Sequence, residues 1–193
     1  MPPPLLFRRE TGPARGRCLG GVVQVVVAAA TLAIGGVAHA DDALSCGASL
    51  SAEAAMQRLN DARQRGAACR AGAMSTAAPL TWSEHLAAVA QVQAAEMARL
   101  RRISHLDSQN RGLPDRLRAL GYRYSLAVEN IGVGYSSLDE VVEAWLESEG
   151  HCENLMNAAV LEFGVACIDD GAAGAPEERR YWTLVLGAPP RAR

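Results

Sequence analysis

Between Val128 and Gly134 the sequence V-E-N-I-G-V-G alternates with the two-residue period of a β-strand. In a strand, Glu129 shares its face with Ile131 and Val133. A carboxylate on an apolar face needs a partner or a function, because burying it unpaired is costly. Gly132 and Gly134 omit side chains where another backbone or a ligand would come close. Any fold for this chain must therefore bring polar groups to Glu129 from elsewhere.

Two stretches are candidates to supply them. Ile103–His105 reads I-S-H, and Ala144–Asn157 reads A-W-L-E-S-E-G-H-C-E-N-L-M-N. His105, Glu129 and His151 read as coming from three irregular junctions. Two imidazoles and a carboxylate are what an open divalent-metal site uses, with water in the remaining position. The same groups suit a histidine–carboxylate general base. The bland alternative is a structural network, in which each histidine bonds a loop carbonyl and Glu129 caps backbone amides. The spacings match no H-E-x-x-H motif, and no G-x-S-x-G is present. All 19 basic residues are arginine, which excludes lysine Schiff-base chemistry.

The first 40 residues read as a secretory signal peptide. Arg8, Arg9, Arg15 and Arg17 form the basic region, Leu19–Val37 the apolar region, and Ala38-His39-Ala40 the cleavage site. The apolar run is rich in Gly and Ala, too weakly apolar for a stable membrane anchor. The expected mature chain starts at Asp41 and is secreted or periplasmic. The segment removed holds four arginines and one glutamate. What remains has 15 arginines and 20 acids, a net charge of −5, which speaks against a nucleic-acid partner. Seven arginines from Arg99 to Arg123 face only Asp107 and Asp115 in that window, and they read as solvated helix faces. Cys46, Cys69, Cys152 and Cys167 remain after cleavage. An even set without C-x-x-C suits disulfides in an oxidising compartment, and makes Cys152 a poor nucleophile.

Helical patterns cover Ser51–Arg65, a segment from Thr81, one opened by Pro114 and closed by Gly121, and one from Ser137. T-W-S-E at Thr81–Glu84 reads as a capping box with Thr81 as the cap. Gln93 interrupts the apolar stripe of its helix, so a polar group points inward. Gly66–Ala78 reads as a loop, and Gly150 as a helix breaker with His151 just beyond it. Phe163–Ile168 and Tyr181–Leu186 read as strands. The expected class is α+β, an α-β-α sandwich with a small antiparallel sheet between helices. Trp145, Trp182 and Leu184 are assigned to its core.

L-T-W-S-E-H-L (Leu80–Leu86), E-M (Glu96, Met97), I-S-H, D-R-L-R-A-L-G-Y (Asp115–Tyr122), E-N-I-G-V-G, the Ala144–Asn157 stretch, F-G-V-A-C (Phe163–Cys167) and Y-W-T-L-V-L-G (Tyr181–Gly187) occur in that order. Together they resemble the CAP superfamily of cysteine-rich secretory, antigen 5 and pathogenesis-related proteins, in its short bacterial secreted branch. The resemblance spans residues 50–187, leaving 41–49 as a lead-in and 188–193 as a tail. It implies a central cleft with two histidines and two acids, with His105, Glu129 and His151 filling three of the four places. Ser148, flanked by Glu147 and Glu149, stands where the second acid belongs.

Members of that superfamily are linked to divalent-metal binding, to sterol and lipid binding, and in isolated cases to hydrolysis. The resemblance thus implies a monomeric, non-enzymatic module for a lipid-like ligand or a protein partner. The alternative is a metal-dependent peptidase or esterase, with zinc held by His105, Glu129 and His151. Small bacterial members carry cysteines like Cys69 and Cys152, which implies that pair and leaves Cys46 for Cys167. The rival pattern is Cys46–Cys69 with Cys152–Cys167.

Overall fold

Ser51 starts the first helix, α1 (Ala52–Arg65), by accepting the amide of Ala54 at 3.1 Å. Gly66 ends it at a φ of 73°, a conformation in which a side chain is strained. The computed structural model describes residue 46 and residues 50–69, 72–74, 76–170 and 179–191. The segment expected to be a signal peptide, the expected cleavage site and the expected lead-in apart from Cys46 lie outside the described residues. After α1 come a small hairpin, β1 (Ala67–Cys69) and β2 (Gly72–Met74), and a two-residue strand, β3 (Thr81–Trp82). Next are α2 (Glu84–Leu100), α3 (Leu113–Ala119) and β4 (Leu126–Val133). The chain finishes with α4 (Leu138–Glu147), α5 (Glu149–Met156), β5 (Glu162–Asp169) and β6 (Arg180–Ala188).

The main sheet runs β3-β5-β6-β4. It is mixed, not wholly antiparallel as expected, because β3 runs parallel to β5. The Thr81 amide donates to Leu161 O at 3.0 Å and the Ser83 amide to Phe163 O at 2.9 Å. Those bonds take Thr81 into the sheet and move the helix cap to Ser83, whose hydroxyl accepts from Leu86 N. The residues expected to form a loop between α1 and α2 also include the β1–β2 hairpin, whose pairing the sequence pattern did not signal.

Alternation along β5 and β6 divides the core. Phe163, Val165, Cys167, Trp182, Leu184 and Leu186 pack against α1, α4 and α5. Ala166 and Val185 pack against α2 and α3 on the other face. The result is an α-β-α sandwich, with Trp145, Trp182 and Leu184 buried as expected. Disulfides join Cys46 to Cys167 and Cys69 to Cys152, with α-carbons 5.1 and 5.6 Å apart. The first ties the chain ahead of α1 to β5; the second ties the hairpin to α5.

One buried arginine adds a third tie. Arg63 falls on the apolar stripe of α1 with Ala55, Leu59 and Ala62. Its guanidinium donates to Ala78 O at 2.8 Å, Leu155 O at 2.7 Å and Asn157 O at 3.1 Å. The last two carbonyls belong to the end of α5, so Arg63 clamps that helix to α1. Burial lowers its pKa from the usual arginine value.

Candidate functional site

β4 is an edge strand, and neighbouring side chains occupy its outer backbone groups. The Trp145 indole donates to Ile131 O at 3.0 Å, and Asn154 Nδ2 to Glu129 O at 3.3 Å. Asn154 also donates to Asn130 Oδ1 at 2.9 Å, and Asn130 in turn donates to the carbonyl of His151 at 2.9 Å. The strand pleat sends Glu129 and Asn130 to opposite faces. Glu129 therefore meets groups near α3, while Asn130 holds the first turn of α5.

Both oxygens of Glu129 are engaged. His105 Nδ1 donates to Oε1 at 2.9 Å, and Arg116 Nη2 donates to Oε2 at 2.5 Å. The Glu129 and Arg116 side chains are each only 4% exposed, whereas that of His105 is 54% exposed. A carboxylate only accepts, so Nδ1 carries a proton in this contact and Nε2 is left out of it. Arg116 also donates to the backbone carbonyl of His105 at 3.2 Å, and Gln93 Nε2 donates to that of Ser104. His105 thus sits on a loop held from both sides. Glu96 steadies the same loop by accepting from Ser108 N at 3.0 Å. Its bidentate bond to Arg99, together with Ser108, holds its carboxyl down to about 2.

His151 reaches the site from α5. Burial, and secondarily the nearby His105, push its imidazole below the usual histidine value. Contrary to expectation, Gly150 does not break the helix, and His151 lies within α5. The break falls at Ser148, whose extended backbone ends α4 and starts α5. Glu129 likewise sits within a regular strand, so only His105 comes from an irregular junction. Glu147 and Glu149 are exposed, and among the described residues neither bonds His105, Glu129 or His151. Glu147 instead lines a cavity on the outer side of α4 with Tyr135 and Glu143.

This geometry bears on a metal. Among the described residues no group of three His, Cys, Asp or Glu side chains is placed to hold one. Both oxygens of Glu129 already accept a hydrogen bond and its side chain is only 4% exposed, so it is not open to a metal in this arrangement. The two imidazoles that remain are fewer than the three protein ligands of an open zinc site. The trio therefore does not fit a zinc centre in this conformation. Nor does any hydroxyl or thiol among the described residues bond either imidazole, so no nucleophile is paired with a base.

Sequence reasoning anticipated a partner for Glu129 but not Arg116, Asn130 or Asn154. Asn154 had a signal, since it lies three residues after His151 on one helix. Arg116 was one of seven arginines in its window, and five of them prove to be paired. They are Arg99 with Glu96, Arg101 with Asp170, Arg111 with Asp107, Arg116 with Glu129 and Arg118 with Asp115.

The depressed basicity of His151 yields a pH prediction. Below about pH 6.5 the unfolded chain takes up this proton before the folded one does. Stability from this group is therefore full above that pH and is lost as pH falls towards the lower folded value. In metal-free buffer, urea melts should show wild-type stability declining across that window, with a shallower decline in His151→Gln. Equal slopes would mean that His151 is no less basic in the folded protein than in the unfolded chain.

A model of the cysteine-rich secretory protein (CAP) family matches residues 56–186. The uncharacterized protein YkwD of Bacillus subtilis is 34% identical over 95 residues, covering 49% of this chain and 37% of that protein. An extracellular protein of Bacillus anthracis containing an SCP domain superposes with a TM-score of 0.55 at 25% identity. That match covers 70% of this chain and 41% of the other. An outer surface protein of Borrelia burgdorferi gives a TM-score of 0.57 at 19% identity, over 73% of this chain and 97% of the other, and so shares the fold. The chain spans little more than a third of the length of YkwD. These structural neighbours are extracellular or surface proteins. Among the described residues of this chain, no helix is long and apolar enough to cross a membrane.

Proposed function

The chain belongs to the cysteine-rich secretory protein (CAP) family, and on that premise we propose that it is an exported, non-enzymatic binding module. Its cleft lies where His105 and His151 approach each other beside the Glu129–Arg116 pair, and it receives a lipid-like small molecule or a protein partner. The observation that carries this reading is the double engagement of Glu129. A general base or a metal ligand needs an oxygen lone pair free to act. With both oxygens engaged and only 4% of the side chain exposed, neither is open to a substrate or a metal, and displacing Arg116 would break a buried ion pair at about 3–5 kcal/mol. Glu129 is better suited to orienting His105, whose Nε2 is then left for a ligand.

The test uses mature protein purified without a histidine tag. A panel of peptide and ester substrates, with and without added zinc, should show no sustained turnover. Calorimetric zinc titration should show no tight stoichiometric site. Turnover that vanishes in His151→Ala would overturn the proposal in favour of a metal-dependent hydrolase using the same cleft.

A further inference from the structure

A second cavity, of about 360 Å³, lies at the far end of α3 and includes none of the cleft residues. Pro114, Tyr122, Tyr124 and Pro190 form its walls, with Arg118 and Arg123 as its charged groups. Its lining thus holds two arginines and no acid, in a mature chain expected to carry a net charge of −5. Arg123 is exposed and makes no ion pair among the described residues. Arg118 is bonded to Asp115 at 3.1 Å, but both partners are largely exposed, so solvent screens that pair. One aromatic wall is rigid. Gly121, at a φ of 75°, turns the chain after α3, and the Tyr122 hydroxyl donates to Glu162 Oε2 at 2.8 Å. Gly187 leaves room for that ring, since a Cβ there would lie 2.9 Å from the hydroxyl. The other wall, Tyr124, is 37% exposed and available for stacking.

From this geometry we infer a binding site for an anionic saccharide unit, a pyranose bearing a carboxylate or phosphate. The volume lies within the usual range for small-ligand sites. The exposed Tyr124 ring, with Pro114 and Pro190, offers apolar surface to one side of a sugar ring, over the buried Tyr122. Guanidinium groups pair with carboxylate or phosphate through charge-assisted, often bidentate, hydrogen bonds. Arg116 and Arg118 lie on the same short helix, one directed to the cleft and the other to this cavity.

Full-length mature protein would be titrated by calorimetry with glucuronate, glucose 6-phosphate, glucose and acetate. At least one charged sugar should bind saturably, and glucose and acetate at least about tenfold more weakly, since both the ring and the charge contribute. Arg123→Ala and Tyr124→Ala should each weaken charged-sugar binding by about tenfold or more, on the same grounds. Both side chains are exposed, so the thermal midpoint should hold. Equal affinity for glucose and glucuronate would overturn the inference. So would no saturable binding by either charged sugar, or charged-sugar binding that both variants retain in full.

Discussion

Alanine at Gly164 should destabilise the protein by about 3 kcal/mol or more, at or beyond the upper end of the usual cost of overpacking a core. Helix α2 lies directly on β5 at this point. A Cβ on Gly164 would sit 2.0 Å from Ala87 N and 2.3 Å from Leu86 C. These are backbone atoms of the first turns of a helix, so no rotamer change relieves the clash. Either α2 lifts from the sheet, opening the packing of Leu86, Val89 and Ala90 over Ala166 and Val185, or the domain does not fold. Gly150 supplies the control. A Cβ there meets nothing within 4 Å, and the residue lies in a helix, so Gly150→Ala should be neutral or stabilising. Urea denaturation of both variants decides the matter. A loss below about 1 kcal/mol at Gly164 would mean that α2 does not contact β5 as described.

Truncating Trp145 to alanine should cost about 3–5 kcal/mol, the range for a large buried aromatic. The ring is 2% exposed and packs in the cluster that includes Val141, Trp182 and Leu184. Its indole also donates to the Ile131 carbonyl on the edge strand, a bond that alanine cannot replace. That carbonyl is two residues from Glu129, so the same change should loosen the strand carrying the site. Trp145→Phe restores most of the packing without the indole donor. Comparing the two separates volume from hydrogen bonding. A loss below about 1 kcal/mol for the alanine variant would place Trp145 at the surface.

Much of the frame was legible because periodicity reports burial directly. The stripe of α2 follows from one face meeting the core, and the continuous apolar runs of β5 and β6 from burial of both their faces. Turn and cap positions were less legible, since several residues near a helix start can serve as caps. Thr81 and Ser83 both qualify locally. The choice fell to Ser83 because the amide of Thr81 pairs with Leu161 O, 80 residues away in sequence. Gly150 misled for a similar reason. A glycine near a helix end reads as a breaker, but the chain turns at Ser148, where α4 and α5 meet.

The sequence by itself determined that Glu129 lies on a buried face and needs a partner, that Gln93 points inward, and that His105 and His151 flank that acid along the chain. Local spacing suffices for such statements, because side-chain direction in a helix or strand depends only on the backbone period. Which group answers Glu129 was decided by tertiary structure alone. Arg116 is 13 residues away and one of seven similar arginines, and it was selected when α3 packed beside β4. That choice set the chemistry of the site, because a carboxylate paired with a buried guanidinium and an imidazole no longer has an oxygen free. Ion pairing depends on distance in space, which no local pattern in the chain encodes.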